Sequence, residues 1–406
     1  LPDRSAGNQS PMKNDADLII LGGGCAGLSL AMRLAELGVK APRTLVLESR
    51  DEYVNDRTWC FWGHPDAAMS ELASHQWSAF SVSTGTDRII RDCSAAPYRM
   101  IPSGAFYAAA REKIARSPGT ELLIGNPVTS EPVREDGSWR VMGNNGPLSA
   151  KWIVDTRPVN PHASPQPHLW QSFLGQEIMT ERECFDPECV ELMDFSESTP
   201  SRILFLYLLP FSKNRALIEA TVFGREPLSA ENLTPALRSL LGKRIGRTDF
   251  SVMRSEHGIL PMGRRLSPTH RGRGYVHAGL AAGGARPSTG YAFQRIQRWA
   301  RECAAAMARG EAPLPHAADP VIQRAMDEIF LRVLRSRPDL APGIFFSLLG
   351  KVEPQRIARF MSDRGRLSDY VSVITALPPW PFLRELPGAV LAGLASSRVS
   401  TRGSSW

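Results

Sequence analysis

Short unbroken apolar runs and stretches with apolar residues every three or four positions alternate along this chain, the pattern of buried strands joined by amphipathic helices. Asp17-Leu-Ile-Ile-Leu21 is the first such run. Ala26 to Leu37 then carries helical spacing and stops at Gly38, a residue suited to a helix C-terminus. Thr44-Leu-Val-Leu47 supplies a second strand. Together they predict a strand–helix–strand unit of about thirty residues.

The middle of the chain is richer in strands. Leu122 to Ile124, Trp139 to Met142 and Trp152 to Asp155 are separated by turn sequences such as Glu135-Asp-Gly137 and Gly143-Asn-Asn-Gly146. Arg202 to Leu209 and Ala216 to Phe223 flank Lys213-Asn-Arg215 and predict an antiparallel hairpin. Farther on, Arg273 to Gly279 predicts a returning strand and Gly290 to Ala306 a helix, with Pro313 and Pro315 marking a break. From Asp319 the pattern is mainly helical, strongest at Asp327 to Leu334 and Pro342 to Leu349. The expected fold class is α/β: a Rossmann-type nucleotide-binding domain, an antiparallel-sheet substrate domain and C-terminal helices. The expected divisions are 15–158 and 255–310 for the two parts of the nucleotide-binding domain, 159–254 for the substrate sheet and 311–406 for the helical end.

Composition narrows the functional classes. With 406 residues and 43% hydrophobic content, the chain can bury a large core, and it is neither disordered nor repetitive. Its six cysteines are scattered, without zinc-like spacing, so no metal site is expected and a reduced, cytoplasmic setting is. Leu1 to Asp17 lacks an apolar signal core, so no export is expected. The longest uncharged stretch near the end, Leu386 to Ser397, is twelve residues and too short to span a bilayer. The formal charge of +7, with pairs such as Arg264/Arg265 and Arg271/Arg273, lacks the aromatic interleaving of a nucleic-acid surface. Attraction to anionic lipid and a plain solvated basic face both fit it.

Gly22-Gly-Gly-Cys-Ala-Gly27 sits between a strand and a helix, the context required of a dinucleotide fingerprint. Gly22 permits the tight turn, Gly24 admits the pyrophosphate, and Gly27 allows close helix–strand packing, with Cys25 and Ala26 opening the helix. Glu48 ends the second strand, 21 positions past Gly27, where a carboxylate can accept from ribose hydroxyls. The glycines do not choose between FAD and NAD(P). A second Gly-rich segment, Gly283-Gly-Ala-Arg-Pro-Ser-Thr-Gly-Tyr291, precedes a predicted helix and is similar to the flavin-contacting loop of FAD enzymes. Gly279, Gly283, Gly284, Thr289 and Gly290 are its candidate contacts, and a surface turn capping the helix through Ser288 or Thr289 is the alternative. Flavoprotein hydroxylases usually carry Gly-Asp before this loop, whereas this chain has Gly279-Leu280.

Four further segments sharpen the reading: Asn55-Asp-Arg-Thr-Trp-Cys-Phe-Trp62, Phe205-Leu-Tyr-Leu-Leu-Pro-Phe211 followed by Leu217-Ile-Glu219, Glu256-His-Gly-Ile-Leu-Pro261, and Pro287-Ser-Thr-Gly-Tyr291. In this order they resemble the bacterial lycopene beta-cyclase family, from Asp17 to about Asp363. The resemblance implies a flavoprotein that closes beta-ionone rings on linear lycopene without net redox change, using reduced FAD with NADPH as reductant. It implies protonation of a terminal double bond by Glu219, attack by the neighbouring double bond, and proton loss from the ring cation.

By local pattern alone, Glu219 reads as an ordinary edge-strand glutamate, sharing a face with Leu217 and Thr221. Trp59, Phe61, Trp62 and Tyr207 are candidates to line the substrate site, against plain core packing. Asp56 and Arg57 read as an ion pair steering the loop near the flavin or as a weak surface pair, and His257 as a proton acceptor or a turn residue. A lycopene substrate has to be drawn from a membrane, so peripheral membrane contact is expected; Leu377 to Leu383 and Leu386 to Ala395 read as membrane-facing or domain-packing surface. The competing readings are a redox flavoenzyme, monooxygenase or reductase, acting on a polyene or prenyl lipid, and a non-catalytic carotenoid- or flavin-binding protein.

Overall fold

The computed structural model describes residues 14–63, 67–158, 167–263 and 272–388. The N-terminal stretch 1–13, Arg264, Arg265, Arg271, residues 159–166 at the start of the expected substrate segment, and residues 389–397 of the last apolar stretch lie outside the described residues.

The strand–helix–strand unit forms where the periodicity places it, as Ala16–Leu21, Cys25–Ala35 and Thr44–Leu47. The first strand lies between Thr44–Leu47 and Gly146–Asp155, parallel to both, and Thr120–Leu123 and Tyr275–His277 extend the parallel set. Strands Ser138–Gly143 and Val133–Glu135 complete this seven-stranded sheet as an antiparallel flap. The apolar run is continuous because both faces are covered. Leu18 and Ile20 pack with Leu28, Phe106 and Ala300 of the helices Cys25–Ala35, Ser103–Ala115 and Phe293–Ala308, while Ile19 and Leu21 meet Trp139 and Val141 of the flap.

A second seven-stranded sheet runs in the order Phe250–Met262, Leu169–Thr180, Arg215–Gly224, Ile203–Pro210, Cys189–Asp194, Ala79–Ser83, Arg88–Asp92. All neighbours are antiparallel except the pair Cys189–Asp194 and Ala79–Ser83. The sheet therefore extends past the 159–254 segment at both ends, taking strands from the first 158 residues and one reaching Met262. Strand membership is set by lateral hydrogen bonding, which contiguity in the chain does not reveal.

Alternation gives this sheet two unlike faces. Leu204, Leu206, Leu208, Ile218 and Val222 pack under Ala230–Ile245, a sixteen-residue helix that the strand-rich reading of this segment did not include. Ser229 caps it, its hydroxyl accepting from the Asn232 N–H at 3.3 Å. On the opposite face, Phe205 and Phe223 meet Leu331 and Phe345 of the C-terminal helices, and Leu209 and Leu217 meet Leu349 and Phe360. A three-stranded sheet, His75–Trp77, Tyr98–Pro102 and Thr58–Trp62, joins the two halves, with Phe61 and Ile101 in the nucleotide-side core and Trp62 and Tyr98 in the other.

At the first turn Gly22 has φ +93°, and a Cβ on Gly27 would lie 1.9 Å from the Gly22 carbonyl oxygen. Gly27→Ala is therefore expected to destabilise the protein by roughly 1–3 kcal/mol. Urea unfolding measures it, and an unchanged midpoint would mean that the helix can withdraw from the strand at no cost.

Candidate active site

One cavity of about 910 Å³ runs from the start of helix Cys25–Ala35, past the face of the second sheet, to the C-terminal helices. At its nucleotide end, Gly24 is the helix N-cap and makes no side-chain capping bond, and a Cβ placed on it would meet no atom within 4 Å. First-turn N–H groups thus face open space with the positive end of the helix behind them. Cys25 and Ala26 share this wall, and burial pushes the Cys25 thiol up to about 12, so it is a neutral surface. Gly279, Thr289 and Gly290 approach the same space. Gly283 and Gly284 lie behind them and shape the loop, the Gly284 N–H donating to the Gly279 carbonyl at 2.8 Å. Ser288 and Thr289 do not cap the following helix, whose N-cap is Ala292; the Ser288 hydroxyl instead donates to Asp327 at 2.7 Å.

The open helix terminus and this loop suit the phosphates and ring system of a dinucleotide such as FAD. Glu48 is buried outside the cavity wall, accepting from the Gly23 N–H at 2.7 Å and from Arg50 Nε at 3.0 Å. The Arg50 guanidinium lies over Tyr53 and Tyr107 and lines the cavity, whereas Glu48 does not.

At the other end, strand register places Tyr207, Glu219, Gly175 and Glu256 in one row across four strands. Glu219 and Glu256 both face the cavity, 7% and 4% exposed. A Cβ on Gly175 would sit 2.7 Å from Glu219 Cγ; without one, the Glu219 side chain lies over the intervening strand on the side of Glu256. Burial, and next the facing Glu256, hold the Glu219 carboxyl well above the ordinary carboxylate range. This setting favours the protonated, neutral form of Glu219. Glu256 instead accepts from Thr58 Oγ1 at 2.8 Å and pairs with the Arg254 guanidinium. Arg254 Nε in turn donates to Glu177 at 2.6 Å, and Glu177 accepts from Arg215 Nε at 2.7 Å.

Aromatic groups share the cavity with the acid. Trp59, Trp62 and Tyr207 line the cavity. Phe61, expected beside them, does not; it is in the core, stacked on Phe293 at 5.4 Å. Trp59 stacks on the same ring at 5.6 Å but reaches the cavity edge. Tyr98 draws two distant motifs together, its hydroxyl 3.0 Å from both the Tyr207 and Tyr291 hydroxyls, and burial raises all three phenols so that they stay neutral.

Arg57 lines the cavity, but its guanidinium is 3.9 Å from the Asp56 carboxylate and half exposed. Asp56 is instead held by the Tyr107 and Ser103 hydroxyls, each at 3.2 Å. His257 donates through Nε2 to the Leu228 carbonyl at 3.1 Å and is outside the cavity wall, since alternation turns it away from Glu256. Tyr98, Gly175 and Arg254 were not singled out by sequence reasoning, and Glu256 figured only as part of a motif. Among the described residues no cluster of three or more His, Cys, Asp or Glu is placed to hold a metal ion.

The chain matches the family described as "Lycopene cyclase protein" over residues 17–386. It is 26% identical to a lycopene beta-cyclase of Pseudescherichia vulneris over 385 residues, covering 90% of this chain and 95% of that one. It is 30% identical to a lycopene beta-cyclase of Paracoccus sp. (strain N81106 / MBIC 01143) over 241 residues, 54% of this chain but only 60% of that relative's length. In fold it is similar to a geranylgeranyl bacteriochlorophyll reductase-like protein of Thermoplasma acidophilum, with TM-score 0.59 and 13% identity, covering 92% of this chain and 99% of that one. It is also similar to a flavin-dependent brominase, with TM-score 0.60 and 12% identity, covering 88% of this chain and 97% of that one.

A carboxyl whose proton is held more tightly in the folded than in the unfolded chain makes stability fall as pH rises through its raised folded value. Glu219→Gln removes that dependence. The variant is therefore expected to gain thermal stability relative to the parent as pH rises from about 5. Melting curves across pH check this; a constant difference in Tm would show that Glu219 does not hold its proton unusually tightly.

Proposed function

The chain belongs to the lycopene cyclase family, and on that premise we propose that it is a lycopene beta-cyclase, converting the acyclic ends of lycopene into beta-ionone rings without net redox change. The observation that carries this reading is Glu219: a neutral, buried carboxylic acid on the wall of a largely apolar, aromatic-lined cavity that also reaches a nucleotide-type helix terminus. Its O–H delivers a proton to the CH carbon of the terminal double bond of an acyclic end; the alkene electron pair forms the new C–H bond and leaves a tertiary cation on the dimethyl carbon. The neighbouring double bond attacks the tertiary cation and closes the ring. The Glu219 carboxylate then removes a ring proton, whose C–H electrons form the ring double bond, so that acid and electron count are both restored.

The faces of Trp59, Trp62 and Tyr207 suit a passing carbocation. The start of helix Cys25–Ala35 and the Gly279–Gly290 loop are the residues that would hold FAD. When bound and kept reduced by NADPH, that cofactor would supply negative charge beside the cation.

Leu377, Phe382, Leu383 and Leu386 line the end of the cavity, where Trp380 is 75% and Leu383 50% exposed. An apolar rim at the cavity end supports entry of a water-insoluble substrate from a bilayer and peripheral membrane contact. Among the described residues no helix is long and apolar enough to cross a membrane.

Expression in lycopene-accumulating cells, with pigment chromatography, tests the function. Beta-ringed carotenes are expected from the parent, and none from Glu219→Gln with FAD still bound; full activity of that variant would remove Glu219 from the chemistry. NADPH consumed in proportion to product would instead favour a redox flavoenzyme. For the membrane, a Trp380→Ser/Leu383→Ser double variant is expected to co-sediment less with phospholipid vesicles than the parent, and undiminished binding would exclude this rim as the contact.

A further inference from the structure

The cyclase reading uses one member of a carboxyl pair and leaves the other unexplained. Glu256 is buried on the same cavity wall, and its anchoring differs in kind from that of Glu219. It takes a hydrogen bond from Thr58 on the small sheet and the guanidinium of Arg254 from its own strand, and Arg254 is braced by Glu177 from the next strand. Among the described residues no cation lies within salt-bridge distance of Glu219. The groups facing Glu219 from neighbouring elements are Tyr207 across the strand pair, Cys60 of the small sheet, and Glu256 with Arg254 behind it. Burial pushes both the Tyr207 phenol and the Cys60 thiol up, so they bring no negative charge.

The positions of two carboxyls on opposite sides of a glycine follow from register. Gly175 pairs with Glu219 on one flank and Glu256 on the other. Any larger residue there would fill the gap through which they meet.

We propose that Glu256, fixed by Arg254 and Thr58 and admitted to Glu219 by the missing side chain at Gly175, is the positioning residue that keeps the proton on Glu219 and draws it back after each ring closes. Glu256 keeps its ion pair with Arg254 throughout. In the resting pair it accepts the hydrogen bond from neutral Glu219. Once Glu219 has given its proton to the alkene, two carboxylates face each other in an apolar cavity, and the carbocation is the positive charge that compensates them. Loss of the ring proton removes that compensation, so the proton returns to Glu219 rather than leaving the site. A carboxyl that holds its proton this firmly is a weaker donor, and the anion already standing at Glu256 offsets that by stabilising the cation.

The inference rests on the cyclase reading, and the experiment separates the two. The pH dependence of kcat is measured on purified, FAD-loaded protein with lycopene in vesicles, and the carboxylic-acid carbonyl band is followed by infrared difference spectroscopy across the same pH range. In the parent, activity and the band are expected to fall together as pH rises through the titration of the pair. In Glu256→Gln the alkaline limb is expected to move to lower pH by about one unit or more, with KM little changed, and Glu256→Asp restores part of the shift. Gly175→Ala keeps both carboxyls but separates them, and moves the limb in the same direction. An alkaline limb unmoved in Glu256→Gln and Gly175→Ala, while Glu219→Gln is inactive, overturns the role of Glu256 and leaves the cyclase reading standing. A band lost in Glu256→Gln but kept in Glu219→Gln also overturns it, by assigning the proton to the wrong partner. Activity retained in Glu219→Gln would instead remove the acid on which both readings depend.

Discussion

Two carboxyl groups meeting in a water-poor cavity cannot both be ionised without a severe electrostatic cost, and the arrangement around Glu219 and Glu256 resolves that conflict in one direction. Arg254 and Thr58 hold the second carboxyl by an ion pair and a hydrogen bond, whereas burial and the facing carboxyl favour the protonated form of the first. Much of the surrounding structure serves that asymmetry. The small sheet brings Thr58 to the large one, Gly175 opens the passage between strands, and the C-terminal helices cover the face on which Glu219 lies.

The nucleotide end follows a different constraint. A parallel sheet buried on both faces presents a helix terminus at the carboxyl end of its first strand, and the glycines at 22 and 27 let helix and strand approach closely enough to aim that terminus into the cavity. Arg50 adds a detail that spacing does not contain: it pairs with Glu48 and is itself the member of the pair that lines the cavity. One continuous cavity joins this terminus to the buried acid, which suits a reaction in which cofactor and acid act on one substrate end.

Much of this was legible in the sequence, for identifiable reasons. The runs Asp17 to Leu21 and Thr44 to Leu47 declared buried strands, the hairpin around Lys213 declared itself by two apolar segments and a polar turn, and the C-terminal helices showed their period. Helix Ala230–Ile245 was missed because its segment was read as part of a strand-rich block, although Ser229 followed by spaced leucines is a start signal. Phe61 was expected at the site because it is aromatic and in the right motif, yet the direction of a side chain depends on what covers each face of its strand.

The sequence by itself determined the cofactor-domain start and the family motifs, because these are encoded locally as glycine spacing, apolar periodicity and short contiguous segments; it pointed to Glu219 only through the family resemblance. Only the tertiary structure decided that Glu219 is buried where its protonated form is favoured, that Tyr207, Cys60, Glu256 and Arg254 face it, and that Thr58 and Tyr98 hold Glu256 and Tyr207 in place. Their assembly depends on strand register within the large sheet and on the packing of the small sheet against it, which brings Thr58 to Glu256, 198 positions away. A carboxyl's charge is a property of what surrounds it, and those surroundings exist only once the strands have paired.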